Sequence, residues 1–532
     1  MGNKALHISY RDTGCFADLV LDYLEGAEAV KPFYRFTPDL KGIEASLKQR
    51  KDFPTNRQVL VQHLQHQYKV VDPSKMMEKQ ILSLGESNTF TITTAHQPNL
   101  FGGPLYLIYK IVHAIRLSQD LNKEFPTYHF VPVYYMGNED ADFEELNHCR
   151  ILGSRYSWDT EQTGAFGKMQ ADNALLALID QLAALLPVFP FGEDVIDLLR
   201  TSYNQGEAIE ISTFRLMHQL FSKFGVVVLI ADSKALKSLF ASVVKDELLE
   251  KATENTVLPM IDLLKQKYTI QSNVRPLNLF YLKDGLRERI EKAGKEWRVL
   301  NTEIRFSEET LLQELQMHPE RFSPNVLMRP LYQELILPNI VFVGGGGELS
   351  YWLELKKSFE YHQIPFPVLM LRQSFLLIKE ETARRLSAFK FEMRDCFRPV
   401  DELLKQYVRQ HSEMDLNLES ESHQLQELYL QLAAKASAVD LTLEKHVYAL
   451  QKQASKKLMA LHKKMERADR RRFADEQRQI EKMKEECFPV GIMQERIDSV
   501  WNIYVNKGPS FIEQLIEESD PYNKKWKVLF VD

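Results

Sequence analysis

The stretch TTAHQPNLFGGPLYLIYK, residues 93–110, changes its periodicity in the middle. The run from Thr89 to Thr94, rich in threonine, reads as a strand. From Pro104 to Leu121 apolar residues return at helical spacing. Between the two lies a polar turn with His96, Gln97 and Asn99, and Gly102-Gly103 stand just ahead of Pro104. Glycines before a proline in the first helical turn leave backbone N–H groups open to an anion. His96 can then contact a phosphate or transfer a proton. The same residues also suit an ordinary strand-to-helix turn around a buried, hydrogen-bonded histidine.

Outward from this unit the alternation continues. Phe130 to Tyr135, Val226 to Ala231 and Asn339 to Val343 are strand-like, while 170–222 and 233–268 are mostly amphipathic helix. Strands alternating with helices imply an α/β fold with a parallel sheet, a Rossmann-like core. On this basis residues 1–155 and 326–380 form the two parts of the core, and 156–325 a mostly helical connective insertion. Between Pro399 and Pro489 there is neither glycine nor proline up to Glu486. Leu386, Phe389, Met393, Cys396, Val400, Leu403 and Tyr407 step by three and four, a heptad seam. Leu428, Leu432, Ala436, Val439, Leu443, Val447, Leu450, Ala454, Leu458 and Leu461 step 4, 4, 3, an eleven-residue repeat. Ser437 and Asp440 are good N-caps, and 411–422 is polar, so breaks are expected there. Residues 381–487 are therefore expected to be an antiparallel coiled coil that makes a homodimer, with 488–532 a tail packing back on the core.

Two further segments concentrate polar residues at strand ends, where open α/β sheets bind ligands. In GNEDADFEELNH, residues 137–148, Glu139, Asp140 and Asp142 crowd together directly after an apolar run. Such a cluster can hold magnesium or a substrate ammonium group, supply a general base, or simply suit a helix N-terminus. In RPLYQELILPNIVFVGGGGELSYWLELK, residues 329–356, an apolar strand runs into Gly344 to Gly347, and a helix is expected from Glu348. Backbone there can approach a phosphate, a sugar or an adenine without side-chain obstruction. Tyr351 and Trp352 can stack on a base or pack in the core.

The 532 residues carry 67 Lys and Arg against 73 Asp and Glu, a formal net charge of −6. That balance argues against a dedicated duplex-DNA binder, since phosphate neutralisation dominates such affinity. The basic run Lys463 to Arg472 reads as a solvated helix face, so nucleic-acid binding is not expected. The four cysteines are scattered and form no CxxC pair, which argues against a disulfide framework and a four-cysteine zinc site. The start, MGNKALHISYR, has no apolar signal core, and Val226 to Ala231 is too short to span a bilayer, so a cytoplasmic protein without a membrane segment is expected.

Taken together and in this order, the three segments followed by a coiled coil resemble the bacillithiol biosynthesis cysteine-adding enzyme family, BshC. Gln97, Gly103, Pro104, Leu105, Tyr106 and Lys110 match its strand–turn–helix block. Glu139, Asp140, Asp142 and Phe143 match its acidic block, and Gly344, Gly345, Gly347, Glu348, Tyr351 and Trp352 its glycine block. LNLFYLKDGLRERIE (277–291), MLRQSFLLI (370–378) and FPVGIMQERIDSVW (488–501) extend the resemblance over nearly the whole chain. Ala95, Gly346 and Ala141 depart from the family's usual glycine, proline and histidine.

The resemblance implies a Rossmann-like core related to class I nucleotidyl-transfer folds. It implies a ligase that adds cysteine to glucosaminyl malate by amide formation, with ATP or ADP and magnesium as expected cofactors. His96, Glu139, Asp140 and Asp142 are the implied catalytic residues. Gln97, Asn99, Gly103, Tyr106, Lys110, His148, Arg329, Gly344, Gly345, Gly347, Glu348, Tyr351, Trp352 and Arg372 are the implied binding residues, and no residue is assigned to a metal. A non-catalytic coiled-coil scaffold with a vestigial nucleotide pocket, or an RNA-linked adenylating enzyme, are the competing readings.

Overall fold

The computed structural model describes residues 6–270, 272–414 and 416–531. The start of the chain (residues 1–5), residue 415 inside the expected 411–422 break, and residues 271 and 532 lie outside the described residues. The chain divides into two units, Met1–Leu377 with Ile492–Val531, and Ile378–Gly491.

The first unit is built on five parallel strands: β1 (Thr89–His96), β2 (His129–Met136), β3 (Val227–Ile230), β4 (Asn339–Gly344) and β5 (Val368–Leu371). Their order across the sheet is β5-β4-β1-β2-β3, and every pairing is parallel. This is the Rossmann-like core expected from the alternation of strands and helices. β4 and β5 are buried throughout, as strands covered on both faces must be. The threonines of β1 survive this burial because they are satisfied. Thr91 and Thr93 donate to Asn339 Oδ1 at 3.1 and 2.8 Å, and Thr94 donates to the Val343 carbonyl at 2.9 Å. Phe90, Ile92, Val341, Val343 and Met370 face Leu117 and Leu121 of helix α1 (Leu105–Glu124) and Ile43 and Leu47 of the helix Leu40–Lys51.

From β1 the sheet grows in one direction through β2 and β3, and in the other through β4 and β5. The order therefore reverses between β1 and β4, and the crevice beyond their carboxyl ends is where such sheets take ligands. His96 and Gly344 end the two strands that flank it.

The segment expected to be mostly helical departs from that expectation at its end. Leu279–Lys283, Leu286–Ala293, Glu296–Val299, Arg305–Phe306 and Phe322–Pro324 form a five-stranded antiparallel sheet. The physical reason is in its turns. Asp284-Gly285 and Gly294-Lys295 are two-residue loops in which glycine takes φ +68° and +67°, the hairpin geometry that only a residue without Cβ adopts freely.

The short helices α2 (Phe143–Leu146) and α3 (Gly346–Trp352) belong to the first unit, and the second contains α4 (Val400–His411), α5 (Glu419–Val439), α6 (Leu443–Arg470) and α7 (Ala474–Cys487). α5 and α6 pack as a helical hairpin whose turn is held by Asp440 Oδ1, which accepts from the Thr442 N–H and hydroxyl, both at 2.8 Å. The expected 386–407 heptad is not one continuous helix. Lys390 takes φ +58°, and Pro399 interrupts the run before α4. Leu386, Phe389, Cys396 and Leu403 are buried inside the unit. The 428–461 seam behaves differently: Leu428, Leu432, Leu443, Leu450 and Leu461 remain exposed.

Candidate active site

A cavity of about 350 Å³ opens at the carboxyl ends of β1 and β4. Its floor begins at His96, which is half-buried and shares a 3.1 Å hydrogen bond between Nε2 and the Tyr106 hydroxyl. Burial, then the nearby Lys110 charge, hold the imidazole well below its usual pKa, so His96 is neutral at pH 7. Lys110 projects from α1 with 3% of its side chain exposed. Its ammonium donates to the Ala95 carbonyl at 3.0 Å and pairs with Glu348 Oε2. That carboxylate oxygen also accepts the Gly345 N–H at 2.9 Å, closing the start of the short helix α3 (Gly346–Trp352).

At the end of β2, Glu139 and Asp140 also face the cavity. Glu139 Oε1 pairs with Lys237, which is 1% exposed, at 2.6 Å, and Oε2 accepts from the Ser323 hydroxyl at 3.0 Å. Asp140 Oδ2 accepts from Gln97 Nε2 at 3.0 Å, and Oδ1 from the N–H groups of Ala141 and Asp142 at 2.7 and 3.3 Å. Arg287 lies 3.9 Å from the same carboxylate, with its guanidinium over the Phe280 ring. These acids are thus largely neutralised by their own surroundings.

Two more arginines line the cavity. Arg329 rests over Tyr135 and donates to the Tyr351 hydroxyl at 3.3 Å. Arg372 is held by a bidentate, buried ion pair with Glu495, at 2.6 and 2.8 Å, and by Ser374 Oγ at 3.0 Å. Its Nε is buried without a partner although the side chain lines the cavity. Arg287 Nε is in the same state. Buried donors left open beside a cavity are what a bound anion satisfies.

The structure brings His96, Gln97, Tyr106, Lys110, Glu139, Asp140, Arg329, Gly345, Gly347, Glu348, Tyr351 and Arg372 to this one cavity. Six residues expected at the site do not line it. Trp352 is fully buried and stacks on Phe342 at 4.3 Å, so it belongs to the core. Gly344 ends β4, where a Cβ would meet Phe342 and Leu349 under 3.0 Å. Gly103 closes the turn at φ +64°, with a Cβ position 2.5 Å from Asn99 Cβ. Asn99 is buried behind His96 and supports that ring rather than facing a ligand. Asp142 caps the one-turn helix α2 (Phe143–Leu146) by accepting the Glu145 N–H at 3.3 Å. His148 lies on the hairpin strand His148–Ile151 and bonds its neighbour Asn147.

Glu145, Arg287, Asn325 and Arg496 are among the lining residues that were not legible as such. The Asp284-Gly285 turn was the available signal for Arg287. Among the described residues no group of three or more His, Cys, Asp and Glu stands where it could hold a metal ion. The residues present thus make no protein cage for magnesium. No helix of the described residues is long and apolar enough to cross a membrane.

Residues 3–373 match the family model described as the bacillithiol biosynthesis BshC N-terminal Rossmann-like domain, and 375–531 match the BshC C-terminal coiled-coil domain. Proteins named "Putative cysteine ligase BshC" from Flavobacterium psychrophilum and Flavobacterium johnsoniae are each 35% identical to this chain, covering 98% of it and 98% and 99% of their own lengths. The protein of that name from Cytophaga hutchinsonii is also 35% identical, over 97% of this chain and 96% of its own. With both parts of the chain matched end to end, and the glycine, acidic and strand–turn–helix blocks meeting at one cavity, the chain belongs to the bacillithiol biosynthesis BshC family.

Proposed function

We propose that the protein is a cysteine ligase that joins the cysteine carboxyl group to the amine of glucosaminyl malate. The observation that carries this reading is the mixed charge of one cavity. Lys110, Arg287, Arg329 and Arg372 share its lining with Glu139, Asp140 and Glu145. Amide formation between these two substrates needs places for carboxylates and for an ammonium group together, and the lining provides both kinds.

A carboxylate does not acylate an amine in water without activation, so the reading includes a nucleoside triphosphate. When bound, that nucleotide would supply the phosphoryl or adenylyl group that makes the carboxyl carbon electrophilic. The open Nε donors of Arg287 and Arg372 suit its phosphates or the substrate carboxylates, and the Cβ position of Gly347 meets nothing within 4 Å, leaving room beside the turn. His96, neutral and hydrogen-bonded to Tyr106, can donate or accept a hydrogen bond there without adding charge. The exposed apolar seam of α5 and α6 supports a second part of the reading, a homodimer formed through the coiled coil.

The test is direct. Purified protein is incubated with cysteine, glucosaminyl malate, magnesium and ATP, and the products are resolved by mass spectrometry. The expected result is the cysteinyl amide, formed when the nucleotide is present and absent when it is omitted. No amide under either condition would refute the ligase reading.

A further inference from the structure

Resting on the ligase reading, we propose that Glu145 is the general base that takes the proton from the attacking amine. Four carboxylates line the cavity, and three are already engaged. Glu139 is paired with Lys237, Glu348 with Lys110, and Asp140 accepts from Gln97 and two backbone N–H groups. Among the described residues Glu145 is the lining carboxylate with neither an ion-pair nor a hydrogen-bond partner for its side chain. A carboxylate that is tied up gives little to a proton transfer; a free one at the cavity wall is available to the substrate.

The groups facing Glu145 come from three elements. Asp140 and Asp142 belong to the loop before α2, Tyr106 and Lys110 to α1, and Arg496 to the one-turn helix Gln494–Ile497. Glu145 keeps contact with solvent at the mouth of the cavity, and partial desolvation, followed by Asp142 and Asp140, raises its pKa from the ordinary value, against the opposing pull of Arg496 and Lys110. A base whose pKa moves toward the working pH is a better proton acceptor. Its backbone is fixed by Asp142, which caps α2 through the Glu145 N–H. This gives Asp142 a positioning role.

The step balances as follows. The substrate ammonium gives one proton to the Glu145 carboxylate, the freed nitrogen lone pair forms the C–N bond at the activated carboxyl carbon, and the second proton shed as that nitrogen becomes an amide passes to solvent water. The bond from that carbon to the activating group breaks, and its electron pair leaves with that group.

Glu145→Gln and Glu145→Asp are made in the full chain. At pH 7 the glutamine variant is expected to lose about 10²- to 10³-fold in kcat, with a much smaller rise in KM for glucosaminyl malate from the lost charge. Its rate should then climb about tenfold per pH unit as the amine loses its proton unaided, so the deficit narrows toward pH 9. The aspartate variant should keep the wild-type pH profile at a reduced rate. A loss that is uniform across pH in both variants, or no loss, overturns the assignment.

A second arm does not depend on turnover. Calorimetry with glucosaminyl malate should show wild-type affinity weakening as pH falls through the Glu145 pKa, and an affinity insensitive to pH over that range for Glu145→Gln. If the wild type makes no amide, the ligase reading fails by itself, and the calorimetry still decides about Glu145. The same pH dependence of affinity in both proteins would overturn the inference.

Discussion

Replacing Glu495 by glutamine removes the counter-charge of Arg372 while keeping the size of the side chain. Both partners are nearly desolvated, with 4% and 1% of their side chains exposed, and two contacts of 2.6 and 2.8 Å hold the guanidinium. Removing one member of such a pair leaves an uncompensated buried charge and costs about 3–5 kcal/mol. The unit that contains the pair spans Met1–Leu377 and Ile492–Val531. At roughly 2.1 cal/mol/K per residue, its unfolding entropy is about 0.9 kcal/mol/K near the midpoint. The expected fall in Tm is therefore about 3–6 °C, read by calorimetry at matched pH. Arg372→Met combined with Glu495→Met removes both charges and should recover most of the loss, since apolar replacements of buried pairs are often neutral. That double variant should still bind anionic substrates at least about tenfold more weakly, because a charge-assisted donor is gone. A Glu495→Gln protein melting within 1 °C (about the error of the measurement) of wild type would refute the reasoning, since the pair would then be effectively solvated.

Gly345→Val should fold normally and lose ligand binding by about tenfold or more: its φ is −81°, and a Cβ there stands 3.6 Å from Glu348 Oε2 and 3.8 Å from Arg372 Nε, at the cavity wall. Equal nucleotide and glucosaminyl malate affinities by calorimetry would place the ligand elsewhere. Leu428→Glu with Leu461→Glu should turn a dimer into a monomer in sedimentation velocity at micromolar concentration without loss of helix content; a wild-type monomer would contradict the role of this seam. Glu354 is 1% exposed, its Oε2 has no partner, and burial raises its pKa from 4.5 to about 7. The folded state therefore holds this proton more tightly than the unfolded state, and stability falls as pH rises from 4.5 through 7. Glu354→Gln should remove that decline, raising Tm by about 4 °C at pH 8 and leaving it nearly unchanged near pH 4.5.

The core was legible where one residue type carried one message. Threonines and aromatics before His96, glycines before Pro104 and the apolar run into Gly344 read as strand, turn and strand, and they are so. The antiparallel sheet escaped because LRERIEKA alternates charges rather than apolar and polar residues, which leaves its two-residue turns as the remaining signal. The first heptad misled because counting steps of three and four passes over Pro399. At the cavity, residue type could nominate Glu139 and Asp140, but not reveal that Lys237 and Gln97 occupy them. Those partners lie far off in the chain, and a carboxylate's freedom is a property of its neighbours. Glu145, in an acidic run like its fellows, looked no different from them.

The place of β4 in the sheet has a consequence for synthesis of the chain. β1 needs β4 as its neighbour, and the Thr94 hydroxyl bonds a carbonyl 249 residues further on. At roughly 5–20 residues per second, a ribosome takes about 12–50 s to deliver that partner after β1 has emerged. For that interval one edge of β1, a strand buried almost throughout in the finished protein, stands without its mate. The newborn chain should thus pass through a half-sheet of β1, β2 and β3 that a holding chaperone can recognise. Nascent chains stalled before Asn339 should bind such chaperones, and those stalled well after Leu371 should release them.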